Sequence, residues 1–394
     1  MPPLRILFDF VLLDAATLVG TAAVSGAATW LALGEWRRSA GQHWTERARA
    51  LHRARMACGL NVGLVVLGAI IVTGYFSDSF ADSFPWSALI AALLGTIAGS
   101  YPLQRARFPQ QTLKEWIAAI AIQLSLQVVG LGLLVVCVFL MPRNFGLKTW
   151  LIAGGWIGVQ LVFSFGLWLR FLRFVHLLHR PSERLARIVS ETSARGGIPV
   201  RHVWELTSAV SQAGVLLATR TLFFTRPLLE RLTDAEIESI CLHELAHLTE
   251  PRSVFWLREL AQFSRVPLLF ALPVAAHFGA NAAFGMIALV VCAPFALIRV
   301  RRRMEQRADR LAVAATADPV VYARALEKIY EANQMPAVVG GLARGVHPSL
   351  YDRMVAAGVT PDYPRPAKPK RFHWTTGVLL ILVAMAFVVL VVLD

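Results

Sequence analysis

Residues 232–250 read LTDAEIESICLHELAHLTE, and the rest of the chain is best read outward from them. Thr233 is a predicted helix N-cap, and Glu236, three residues on, completes a capping box. Pro251 should stop the helix or kink it. Inside the helix lies His243-Glu244-Leu245-Ala246-His247, an HExxH pattern. A spacing of four puts both imidazoles on one face, one turn apart. There they can reach one zinc ion at about 2.0–2.1 Å. Glu244 stands one residue round from His243, placed to hold a water and take its proton as general base. The plainer reading is a helix with two hydrogen-bonded histidines. The neighbours Cys241, Leu242, Leu245, Ala246 and Leu248 are apolar, so two imidazoles and a carboxylate among them need partners. A metal is the simplest one.

A zinc site with an open position needs a third protein ligand. Pro251 stands where an extended HExxHxxGxxH motif would need histidine, so the ligand comes from further along. Glu305 and Asp309 are two acids, four apart, in a helix otherwise rich in arginine (Arg301, Arg302, Arg303, Arg307, Arg310). Glu305 would supply a carboxylate oxygen. Asp309, one turn on, would accept a hydrogen bond from the far nitrogen of a zinc histidine. Against this stands an ordinary solvated face, with Glu305 paired to Arg301 or Arg302.

Upstream of the motif, RIVSETSARGGIPVRHVWEL reads as a helix, a Gly-Gly-Ile-Pro turn and a strand. GVLLATRTLFFTRPLLERL reads as one or two strands and a short helix. Downstream, Val266 to Val300 is apolar with His277, Gly279 and Asn281 near its middle. It is read as a hairpin of two short helices that crosses or re-enters a membrane. Two helices broken at Asp318-Pro319 should follow, then a Pro-rich stretch.

The composition sets the wider frame. Of 394 residues 56% are hydrophobic and only 16% charged, outside the usual range of soluble domains. The apolar excess sits in runs at 8–33, 58–76, 86–103, 116–141, 150–174 and 374–393, each long enough to cross about 30 Å of hydrocarbon. The intervening stretches are read as loops, of which 34–57 and 104–115 are basic and 77–85 is acidic, which puts the first two in the cytoplasm. The expected fold is therefore a mainly α, polytopic membrane protein with a cytoplasmic catalytic region holding a small β-sheet. Its expected divisions are five membrane helices in 1–174, the HExxH region 175–264, the apolar hairpin 265–300, the region of the third ligand 301–372 and a terminal membrane helix 373–394. The net charge of +14 has a membrane explanation in arginines facing anionic lipid, and nucleic acid is not an expected partner. Cys58, Cys137, Cys241 and Cys292 form no CxxC and no disulfide framework.

The segment LTDAEIESICLHELAHL, followed 58 residues after His247 by EQRAD, resembles the M48 family of membrane-embedded metallopeptidases, which includes HtpX and the CAAX prenyl protease Ste24. The resemblance covers roughly 180–355 and implies a zincin-type (gluzincin) region with one zinc per chain. It implies His243, His247 and Glu305 as ligands, Glu244 as general base and Asp309 as the partner of a ligand histidine. HPSLYDR matches the family's late His-Pro pair and arginine. It implies that His347 stabilises an oxyanion and that Arg353 braces the site. The substrate should lie extended along an edge strand between Gly214 and Phe224. Two departures are visible. The usual Asn-Ala pair of that strand is absent, with Gln-Ala-Gly at 212–214 nearby. The LTEPR after the motif also replaces the family's common xxxRD or xxxGD.

The expected function is a zinc-dependent endopeptidase of a bacterial-type cytoplasmic membrane, acting on membrane-associated or misfolded proteins at the cytoplasmic face. M56-type signalling metallopeptidases share the several N-terminal spans, the HExxH and a later glutamate. They carry an extracellular sensor domain at the end, where a terminal membrane helix is expected here, and the His-Pro pair favours M48. A scaffold with a structural zinc has no need of Glu244. A transporter is disfavoured by the scarcity of ionisable residues within the spans.

Overall fold

The computed structural model describes residues 2–76, 86–127, 132–339, 347–370 and 373–393. The acidic segment 77–85 lies outside them, as does part of the fourth apolar run, at 128–131. The fold is mainly helical with one small mixed sheet. It divides into two compact units: 1–111 with 333–340 and 363–394, and 112–332 with 341–362.

The first unit is a bundle of long helices, chiefly Pro2–Ala32, Trp44–Phe76, Trp86–Gly99 and Trp374–Leu393. Gly95 and Gly99, four apart, let two helices meet at backbone distance. A β-carbon at Gly95 would strike the Leu18 carbonyl, and one at Gly99 would strike the Ala22 carbonyl. Ser25 Oγ donates to the Thr96 carbonyl at 2.9 Å across the same contact. The basic segment 34–57, read from sequence as a loop, is largely helical: Gly34–Arg38, then the start of Trp44–Phe76. Ala48, Leu51, Ala54 and Ala57 are buried at helical spacing, and the arginines occupy the other positions. The charge density hides a good helix-forming sequence. Among the described residues, two helical stretches are long and apolar enough to cross a membrane, Val11–Arg38 and Ser87–Arg107. Leu147–Val162, Ala280–Val290 and Trp374–Met385 are apolar but shorter.

The second unit carries the sheet, in the order β1 (Leu178–His179), β2 (His202–Leu206), β4 (Thr221–Thr225), β3 (Ala213–Leu216). β2 and β4 are parallel, and the two outer pairings are antiparallel. The helix Glu183–Gly196 starts at the Ser182 cap and ends at Gly197, whose φ of 60° is the left-handed conformation of a helix C-cap. The helix Asp234–His247 begins with the expected capping box between Thr233 and Glu236. Its Ile237, Cys241 and Leu245 are buried, as are Leu222 and Phe224 of β4 and Leu228 just after it.

The apolar hairpin turns at Gly279, where φ is 83°. Its second arm does not end near Val300. One helix, Ala280–Ala315, runs through the expected boundary at 300/301. From Phe295 to Ala315 there is no glycine or proline, and the arginine, glutamate, leucine and alanine content sustains the helix. The break at Asp318-Pro319 is present. Asp318 Oδ1 accepts from Val320 N at 2.9 Å and opens the helix Pro319–Ala332.

Candidate metal centre

Four helices and one loop place the side chains. His243 and His247 lie on Asp234–His247, Glu305 and Asp309 on Ala280–Ala315, Tyr322 on Pro319–Ala332, and Arg353 on the short helix Leu350–Ala356. His347 lies just before that short helix. Arg307, two residues past Glu305, ties the first two helices together. Its guanidinium donates to the Ala246 carbonyl at 3.2 Å and to Thr249 Oγ1 at 3.0 Å. They fasten Arg307 to the last turn of the HExxH helix and to the hydroxyl just beyond it.

The ligand atoms of His243, His247 and Glu305 all lie within 4.8 Å of one another, and all three residues are buried. Glu305 Oε2 is 3.6 Å from His243 Nε2 and 3.8 Å from His247 Nε2. A tetrahedral ion with ligands at about 2.0–2.2 Å holds its ligand atoms roughly 3.3–3.6 Å apart, so little movement is needed to fit one. Glu305 therefore turns to the histidines and away from a solvated arginine face.

The far nitrogens fix the tautomers. His243 Nδ1 is 2.9 Å from the Tyr322 hydroxyl and 3.1 Å from Asp309 Oδ1. The hydroxyl itself donates to Asp309 Oδ1 at 2.6 Å, so Nδ1 must carry a hydrogen to share with these two oxygens. His247 Nδ1 donates to Glu250 Oε1 at 2.6 Å. In the neutral imidazoles that a metal requires, both Nε2 lone pairs thus face one carboxylate oxygen. Glu305 Oε2 is buried and has no hydrogen bond among the described residues, although His347 Nδ1 approaches it to 2.9 Å. Three acceptors converging on one point call for a cation. The donor set of two imidazoles and a carboxylate suits zinc.

Behind His243 the charges are stacked. Arg353 grips Asp309 with both arms of its fork, Nε to Oδ2 at 2.9 Å and Nη2 to Oδ1 at 2.6 Å, and also donates to the Tyr322 hydroxyl at 3.0 Å. Burial alone would raise the Asp309 carboxyl pKa, but Arg353 and His243 hold it well below the usual range. Burial also disfavours charge on His243. The carboxylates of Asp309, Glu305 and Glu244 outweigh it and push the metal-free imidazole up to about 9.

Residues 179–358 match the family model described as Peptidase family M48. This region belongs to peptidase family M48. The M48 region thus contains the whole cluster, from the sheet through Arg353. The edge strand expected between Gly214 and Phe224 resolves into two strands. β4 is interior, whereas among the described residues β3 pairs only with β4, and it runs beside the HExxH helix. Gly214 fits there because the Phe223 ring of β4 lies across it, where a β-carbon would collide.

Two partners were not foreseen from the sequence. Tyr322 carries no local signal in the sequence that marks it as a partner of the site. Glu250, in the departing LTEPR, supplies the carboxylate behind His247 and is held in turn by Arg258 Nη2 at 3.2 Å. The spacing of three from His247 to Glu250 on a helical path was the signal available for it.

Proposed function

We propose that the protein is a zinc-dependent, membrane-embedded endopeptidase of the HtpX/Ste24 kind. It would be a multi-pass protein of a bacterial-type cytoplasmic membrane, with its site facing the cytoplasm near the bilayer surface. The observation that carries the reading is the convergence of two Nε2 lone pairs and one unbonded carboxylate oxygen beside Glu244. The membrane part rests on the apolar helices of the first unit and the basic flanks at 34–57 and 104–115.

Zinc, when bound, supplies a Lewis acid that polarises the scissile carbonyl and acidifies water. Glu244 is half-buried next to the ligand pair. In this reading it takes the proton from the attacking water and delivers it to the leaving amine. His347 has a half-exposed side chain beside Glu305, which leaves its ring free to donate to the developing oxyanion. Arg353 touches no ligand. It positions Asp309, which positions His243. An extended substrate would add to the free edge of β3, with backbone hydrogen bonds supplying affinity. Such binding favours unfolded or membrane-tethered segments. A closed structural zinc would have a fourth protein ligand, and the cluster among the described residues holds three.

The test is cleavage of casein or a denatured membrane protein by the full chain in detergent, wild type against Glu244→Gln. Wild type should cleave and the variant should be slower by roughly 10²–10⁴-fold at equal metal content. Equal rates would remove Glu244 from the chemistry, and an inactive wild type with full metal would remove the peptidase reading of this substrate class.

A further inference from the structure

The first unit contains a second built feature, remote in sequence from the HExxH motif. A cavity of about 280 Å³ is lined by Arg38, Arg49, Arg53 and Lys370 together with Glu35 and Glu46. The two carboxylates are already engaged, Glu35 by Arg53 and Glu46 by Arg49. Arg38 and Lys370 are exposed and make no ion pair among the described residues. Arg49 and Arg53 are thus matched by the two acids, and Arg38 and Lys370 remain as the excess positive charge, which favours an anion.

Its neighbour differs in kind. A cleft of about 570 Å³ lies between Trp30 and Trp374 and is lined also by Leu31, Arg37 and Arg38. Both tryptophans are more than half exposed, at 58% and 55%. Trp30 lies near the end of the apolar helix Pro2–Ala32 and Trp374 at the start of Trp374–Leu393. Tryptophan at the ends of apolar helices marks the membrane–water boundary. Arg37 is drawn back over the Trp30 ring at 4.2 Å and donates to the Trp30 carbonyl at 2.7 Å, which leaves Arg38 as the arginine common to cavity and cleft.

A basic cup joined through one arginine to an aromatic, apolar cleft matches a molecule that is anionic at one end and greasy at the other. We propose that this site binds an anionic phospholipid, its phosphate on Arg38 and Lys370 and its glycerol and upper acyl chain between Trp30 and Trp374. The proposal rests on the membrane reading above and is independent of the peptidase reading.

Native mass spectrometry of the full chain in neutral detergent tests it, with phosphatidylglycerol, phosphatidylcholine and inorganic phosphate as separate probes. Wild type should retain phosphatidylglycerol in preference to phosphatidylcholine. Arg38→Gln with Lys370→Gln should weaken phosphatidylglycerol about thirtyfold, from two lost surface cations, and leave phosphatidylcholine unchanged. Both side chains are exposed, so the melting temperature in detergent should not move. Lys370→Gln alone should give about a fivefold loss, and Arg38→Lys should restore most of the charge effect. Equal retention of the two lipids, or an unaffected double variant, would overturn the proposal. Displacement of phosphatidylglycerol by equimolar inorganic phosphate would replace it with a free-anion site. A chain that purifies as a monomer without detergent would overturn both it and the membrane reading, whatever its peptidase activity.

Discussion

The two sides of the ligand cluster solve one problem with different materials. His243 is held by residues far along the chain: Asp309, Tyr322 and Arg353, from three separate helices. His247 is held locally, by Glu250 three residues on and Arg258 eleven residues on. The first arrangement exists only once the second unit is assembled, and the buried Arg353 depends on Asp309 for its counter-charge. The second can form with the HExxH helix and the turn after it, and Arg258 keeps some access to water, with its side chain 23% exposed. Remote partners couple the metal site to the fold of the unit, whereas local partners set only the ring.

This comparison can be sharpened by pH first. A metal must displace a proton from His243, so metal affinity should rise about tenfold per pH unit from about 6.5 towards 9 and then level off. In the metal-free protein the sign reverses. The raised pKa of His243 contributes stability that is full below 6.5 and lost as pH rises through about 9. Chelator competition across this range, with melting of the metal-free form, checks both. A flat affinity profile would mean that the stacked charges behind His243 do not act on it.

Asp309→Asn should break the remote side. It leaves Arg353 buried without a carboxylate, which costs about 3–5 kcal/mol of stability. Metal affinity should fall about 10–100-fold with it. Glu250→Gln should fall at the weak end of that range, about tenfold in affinity, because Arg258 can rehydrate. The comparison fails if Glu250→Gln unfolds the unit and Asp309→Asn does not. Tyr322→Phe should be mildest, at about 1 kcal/mol in a thermal melt, since Arg353 still holds Asp309 after the hydroxyl is gone.

The same contrast explains what the sequence made legible. The capped helix, the HExxH face, the Asp318-Pro319 break and the strands around 202–225 follow local rules of spacing and capping, and all are found. Glu305 and Asp309 stood out only as two acids among arginines, and the resemblance to M48 was needed to assign them. Arg353 was legible through that resemblance alone. Tyr322 was not legible, because nothing local separates a tyrosine that bridges charges from one that fills a core. Glu250 was read as a departure from the family pattern, although it stands at helical spacing from His247. The helical basic segment 34–57 was missed because charge was read as loop. The buried stripe from Ala48 to Ala57 was the signal against that.

Metal analysis tests the central claim most directly. Wild type, Glu244→Gln and Glu305→Gln would each be reconstituted with zinc, dialysed and assayed for bound metal. The account predicts one zinc per chain in wild type and in Glu244→Gln, and well under one in Glu305→Gln. Full occupancy in Glu305→Gln, or none in wild type, would contradict it.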